Sequence, residues 1–335
     1  VYIYYASPFS FVQKQAPCRG HRRGALWREK MVNNNNGIRD KIIKAGYKSS
    51  LNDPLLIQGE LLVKGRHIAQ RVPALLILGP AGAGKTFFAK CFARAIGGHF
   101  ISYQCHYGTG KEELLYDLDI KGVVEKLSGS QGDLASYLRP GILPLAISKA
   151  KGSPCVLLLD ELEKTRPELD AFLLDFLQTG RIYDPHLGEY KLEDGDQLYV
   201  IATSNQDRLL SEPLMRRFRR VYVKYPPPEV EVDIIRETLQ KSFPEVNLHQ
   251  AFLKGLVKIA NYLRGRDDIM KPPSTPELIN ALGDCILLND PSARAEAIVS
   301  WLCAYEEDRA ILFEKYPLSW WEGMLDDKNI MVVGG

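Results

Sequence analysis

The 335 residues are 45% hydrophobic and 25% charged, enough for one large and one smaller globular domain. No apolar run approaches the ~18 residues of a membrane span, so a soluble cytoplasmic protein with no membrane attachment is expected. The net charge of +2 hides a leader of +5 over residues 1–30, where six Lys/Arg face Glu29 alone, and the remaining −3 gives no electrostatic case for a nucleic-acid partner.

Residues 1–36 show neither helical nor strand periodicity and are expected to be a disordered extension. A transit peptide, or an overextended reading frame upstream of Met31, would give the same pattern. The six cysteines are scattered, with no C-x-x-C pair and no histidine at ligand spacing, so reduced and mostly buried thiols are expected. From Val72 short apolar runs alternate with longer helical patterns, the signature of βαβ units around a parallel sheet. Central strands are predicted at Ala74–Leu78, His99–Gln104, Cys155–Leu159, Leu198–Thr203 and Arg220–Val223. After Pro226–Pro228 strands disappear, and only helical segments are expected as far as Leu325.

The first strand runs into Gly79-Pro80-Ala81-Gly82-Ala83-Gly84-Lys85-Thr86, a full G-x-x-x-x-G-K-[ST] match that opens a helix over Thr86–Ile96 and includes Phe87. Glycines let successive N–H groups turn toward phosphates, and the helix N-terminus adds a favourable dipole. Lys85 would neutralise the β and γ phosphates of ATP, and Thr86 would place its hydroxyl on Mg2+. A glycine-rich turn with a chance lysine is the plainer alternative.

The third strand ends in Asp160-Glu161. A buried aliphatic run must deliver these acids to the carboxyl edge of the sheet, where open α/β sheets bind ligands. Asp160 would hold Mg2+ through its water shell, and Glu161 would polarise the attacking water; a surface pair capping the next helix is the alternative. The fourth strand delivers Thr203, Ser204 and Asn205 to the same edge, where the Asn205 amide could bond the water or the γ phosphate, unless it is a turn asparagine. Four arginines follow in the five positions 216–220. Arg217, with Arg216 in reserve, is the candidate to stabilise charge on a neighbour's γ phosphate; a solvated basic face is the alternative.

The order of P-loop, strand-DE, strand-TSN, L-x-R-R-F and a helical lid resembles the AAA+ ATPases. Tyr137-Leu-Arg-Pro-Gly141, Asp160-Glu-Leu-Glu-Lys164, Ala202-Thr-Ser-Asn205 and Lys271-Pro-Pro-Ser-Thr-Pro-Glu-Leu278 are similar to the MoxR group. The resemblance implies an α/β P-loop NTPase with a five-stranded parallel sheet of order 51432 over residues 37–226, an all-helical lid over 227–325 and a flexible tail over 326–335. It also implies a homo-oligomer, usually a hexameric ring, that remodels or matures a protein client, often beside a von Willebrand factor A domain protein. Two departures stand out. Where relatives carry an arginine in a Ser-Pro-Arg setting at a lid helix, this chain reads Ser274-Thr-Pro-Glu277, which leaves Lys271 as the nearest cation for the nucleotide. The long segment Asp184–Asp196 resembles the hairpin such ATPases direct toward the ring pore, or is an ordinary loop. An McrB-like restriction or nucleic-acid-associated NTPase is the competing function, and a nucleotide-gated scaffold a third. The complete set Lys85, Asp160, Glu161 and Asn205 argues against the scaffold.

Overall fold

The computed structural model describes residues 37–65, 70–118, 138–184, 188–325 and 331–332. Expectations for residues 1–36, for Tyr137 and for most of the tail lie outside these. Five parallel strands, β1 (Ala74–Leu78), β2 (His99–Gln104), β5 (Cys155–Asp160), β8 (Leu198–Ser204) and β9 (Arg219–Tyr222), form one sheet in the order β2-β5-β8-β1-β9. Numbered one to five along the chain, these strands stand in the order 5-1-4-3-2.

The apolar runs decide which strands lie inside. β1 and β8 are buried at every position, and β5 at all but its last. β2 is half-exposed along its length because it pairs only with β5, and β9 only with β1. These two are therefore edges rather than central strands, since an edge needs one buried face at most.

Alternate residues of the inner strands face two different helical layers. Leu75, Ile77, Val156, Leu158 and Ile201 pack against α1 (Ile38–Lys44), α2 (Pro54–Lys64) and α3 (Lys85–Ala95). Leu76, Leu78, Leu157, Leu159 and Val200 pack against α4 (Lys111–Leu115), α5 (Ile142–Ala150) and α6 (Glu168–Thr179). The sheet is sealed on both sides, so only its carboxyl edge remains for ligands. Two antiparallel hairpins flank this body: β3 (Tyr116–Leu118) with β4 (Leu138–Pro140), and β6 (Arg181–Asp184) with β7 (Gly188–Lys191). The second overlaps the predicted segment Asp184–Asp196 but starts earlier, at Arg181, directly after the left-handed Gly180 that ends α6, and its strands end at Lys191.

The short α7 (Glu212–Met215) leads into β9. Beyond Pro227 a second core, with Trp321 fully buried, is built from α8 (Pro228–Ser242), α9 (Gln250–Arg264), α10 (Thr275–Leu287), α11 (Pro291–Leu302), α12 (Glu306–Lys315) and α13 (Leu318–Met324). This part is not purely helical: β10 (Asn247–Leu248) pairs with β11 (Met331–Val332), a ladder that completes backbone hydrogen bonds beside the buried Leu248.

Candidate active site

The phosphate loop needs its glycines for steric reasons. Gly79, Gly82 and Gly84 have φ of +146°, +73° and +86°, a region closed to most side chains. A Cβ at Gly79 would strike the Val223 carbonyl, and one at Gly82 would lie 2.5 Å from Ser274 Cβ in the lid. Gly84 is the N-cap of α3, so the helix starts at Lys85, one residue before the expected start.

Lys85 is 6% exposed, and its Nζ donates to Gly79 O (2.6 Å), Pro80 O (2.7 Å) and Asn205 Oδ1 (2.7 Å). Burial pushes its ammonium below the ordinary lysine range, against the pull of Glu163, Asp160 and Glu161. The Thr86 hydroxyl lies 2.8 and 3.0 Å from the two Asp160 carboxylate oxygens, and Thr203 Oγ1 donates to Asp160 Oδ1. Thr203 Oγ1 in turn accepts the Glu161 N–H at 2.8 Å. Glu161 adopts φ +57°. A left-handed non-glycine residue costs about 1–3 kcal/mol and persists where the surroundings over-determine it, as at functional sites. Its Oε2 accepts from Gln104 Nε2 (2.7 Å) and Lys164 Nζ (2.6 Å), and its Oε1 lies 3.4 Å from Asn205 Nδ2. The bond to Glu161 holds the Lys164 ammonium above its ordinary range.

Lys85, Thr86, Asp160, Glu161 and Asn205 thus meet within one hydrogen-bonded set at the carboxyl edge. A threonine hydroxyl beside one carboxylate is too small a set for an all-protein metal cage, but it suits Mg2+, which keeps waters and takes further oxygens from phosphate. Two predicted residues stand apart. Lys271, in the segment just before α10, bonds Glu277 Oε1 of that helix at 2.7 Å. Arg217 reaches Gln178 Oε1 at 3.2 Å at the far end of α6.

Sequence reasoning missed Gln104, which ends β2 in register with Asp160; its place at a strand's carboxyl end was the available signal. It also missed the cavity of about 330 Å³ beside Gly82–Gly84. Phe87 lines it, joined by Tyr47, Ile234, Thr238, Thr275 and Ile279 from segments far apart in the chain. No local pattern could reveal that convergence. Lys48 and Glu237, both at this cavity, form an ion pair of 2.6 Å that joins the segment before α2 to lid helix α8.

Sheet order and loop geometry define an α/β fold of the P-loop class. Residues 74–218 match the family model of the AAA domain, dynein-related subfamily. Spastin of Drosophila simulans is 28% identical over 210 residues, covering 60% of this chain and 24% of that protein. Chaperone protein ClpB of Bacillus anthracis is 27% identical over 183 residues, covering 53% of this chain and 19% of ClpB. The chain thus spans a quarter or less of the length of these relatives. The 5-1-4-3-2 sheet and the P-loop set agree with the AAA domain that this family model describes over residues 74–218. Among the described residues no helix is long and apolar enough to cross a membrane.

Proposed function

We propose that the chain hydrolyses Mg·ATP as a subunit of a homo-oligomeric ring and uses the energy to remodel a protein client in the manner of MoxR-like ATPases. The observation that carries the reading is the single hydrogen-bonded set joining Lys85, Asn205 and Glu161, with Thr86 and Asp160 alongside. Lys85 and the backbone N–H groups of the loop bind the phosphates, and the cavity under Tyr47 and Ile234 takes the base. Bound Mg2+, held by Thr86 and the waters on Asp160, would neutralise phosphate charge. Glu161 accepts the proton of the attacking water, and Asn205 orients that water against the γ phosphate. Arg217 faces a neighbouring subunit's nucleotide. The name of chaperone protein ClpB points to a protein client, and the β6–β7 hairpin, with Tyr183 74% exposed, offers a surface to grip one.

The test is ATP turnover and binding in two variants. Glu161→Gln should retain Mg·ATP binding and lose about 10²–10⁴-fold in turnover, the range of a general base. Lys85→Ala should lose binding itself. Parental turnover in Glu161→Gln would remove Glu161 from the mechanism.

A further inference from the structure

Seven residues, Asn205–Asp207-Arg208-Leu209-Leu210-Ser211, connect β8 to α7, and they are held far more firmly than an exposed connection requires. Glu163, 1% exposed, accepts the backbone N–H of Asn205 at 2.8 Å through Oε1. Arg208 donates from Nε to the Glu163 carbonyl (3.0 Å) and from Nη2 to Thr165 Oγ1 (3.3 Å) and Asp170 Oδ1 (3.2 Å). Asp170, 3% exposed, accepts the N–H of Ser211, the N-cap of α7, at 2.6 Å. Between these clamps Gln206 takes φ +71°, a second left-handed non-glycine residue.

Packing alone does not explain Glu163. Among the described residues its Oε2 has no hydrogen-bond partner although it is buried, which is costly for a carboxylate. A leucine or methionine would fill the same volume at no such cost but could not accept the Asn205 N–H. The clamped segment has functional residues at both ends. Upstream, the Asn205 side chain touches Lys85 and faces Glu161. Downstream, α7 leads directly to Arg217, whose guanidinium rests on Gln178 of α6, the helix that also supplies Asp170.

We propose that Glu163 and Arg208 are positioning residues for hydrolysis: they lock residues 205–211 onto the acidic turn and α6, and so set the Asn205 amide and the Arg217-bearing helix in one frame. The inference rests on the ATPase reading above. Because the displaced groups act on the reacting water rather than on base or ribose, the loss falls on kcat and leaves KM nearly unchanged.

Three variants of the full chain test this, with steady-state kinetics and amide hydrogen exchange over 205–211. Glu163→Ala should lower kcat on the order of 10- to 100-fold, the cost of small misplacement at a reacting centre, with KM moved by less than about twofold. It should also abolish exchange protection at Asn205. Glu163→Gln, whose amide oxygen still accepts the N–H, should recover most of both. Arg208→Lys should not recover, because an ammonium cannot span Glu163 O, Thr165 and Asp170 together. Parental kcat with unchanged protection in Glu163→Ala would overturn the proposal. So would equal losses in kcat, ATP affinity and thermal stability that glutamine fails to restore, since these describe a plain core residue. If Glu163→Ala does not fold, Glu163→Gln and Arg208→Ala carry the same two readouts. A parental chain that binds ATP without hydrolysing it would refute the ATPase reading instead, and the exchange data would still decide the clamp.

Discussion

The two walls of the nucleotide cavity are built from different chemistry. On the α/β side Tyr47, Lys48, Gly82–Gly84 and Phe87 line the cavity, and next to the loop Lys85, Asp160, Glu161, Glu163 and Asn205 lie within one connected polar set, with Lys85 and Glu163 buried. The lid meets the same cavity with Ile234, Thr238, Thr275, Pro276 and Ile279, and its charged Glu237 and Lys241 reach the cavity on α8. Glu237 pairs with Lys48 across the cavity, while other lid charges are satisfied within the lid: Arg264 and Glu231 form a two-pronged pair at 2.8 Å, 6% and 0% exposed, and Lys271 pairs with Glu277. In the proposed ATPase the reacting groups therefore all come from the α/β side, while the lid supplies contact and closure. Lys85 apart, which binds phosphate, substitutions in the α/β polar set should change turnover, and those in the lid should change affinity.

The largest departure from this division would come from the far end of the α/β body. Arg217→Ala should keep the fold and Mg·ATP binding yet lose on the order of 10³-fold or more in turnover, the scale of a transition-state arginine supplied in trans. Co-assembly checks the origin of the loss. Mixed Arg217→Ala and Glu161→Gln subunits, each inactive alone, should regain part of the parental rate, because some interfaces then pair both intact groups. A mixture that assembles without recovery would confine the whole chemistry to one subunit.

Gly82 is where the walls touch, and substituting it should disturb both functions. An alanine there must adopt φ +73° and drive its Cβ to 2.5 Å from Ser274. At about 1–2 kcal/mol for the backbone alone, Gly82→Ala should weaken ATP affinity on the order of tenfold and slow turnover as the lid is pushed off the loop. Isothermal titration and steady-state rates would separate the two. A purely lid-side effect should follow from Ile234→Ala, which removes three carbons from the cavity lining at about 0.8 kcal/mol per fully buried carbon. Since Ile234 is only partly buried, affinity should fall about fivefold, with saturated turnover unchanged. A drop in kcat there would erase the distinction between the walls.

How far this was legible in the sequence follows the same line. Buried aliphatic runs must become inner strands, so β1, β5 and β8 and the acids and amide at their ends could be placed from residues alone. The resemblance supplied the strand order. The hairpin of β3 and β4 gave no signal: three-residue strands some 20 positions apart show no alternation, and only tertiary packing creates them. The lid's polar pairs are equally hidden, since Glu231 and Arg264 meet across 33 residues. Ser274-x-x-Glu277 was readable as a capping box, yet its departure from Ser-Pro-Arg drew attention to Lys271 as a nucleotide ligand.

That residue supplies the smallest effect and the sharpest check on the lid. Glu277 receives the Ser274 N–H on Oε2 at 2.7 Å and Lys271 Nζ on Oε1 at 2.7 Å, closing the cap of α10. Burial opposes ionisation of Glu277, but the hydrogen bonds from Lys271 and Ser274 outweigh it and hold the carboxyl below its usual range. A depressed carboxyl stabilises the fold above its unfolded pKa and loses that contribution as pH falls through the folded value. In Lys271→Ala the folded pKa should rise, so the cap should fail at a higher pH on acidification while stability at neutral pH changes by no more than about 1 kcal/mol, as for other exposed pairs. To reach a phosphate, Lys271 would have to leave Glu277 with a half-buried charge and one fewer donor. ATP and ADP affinities should accordingly shift together, by less than about twofold. Calorimetric titration with both nucleotides decides the matter: a loss confined to ATP would mean that Lys271 abandons the cap for the γ phosphate, and would put a charged group of the lid back into the chemistry.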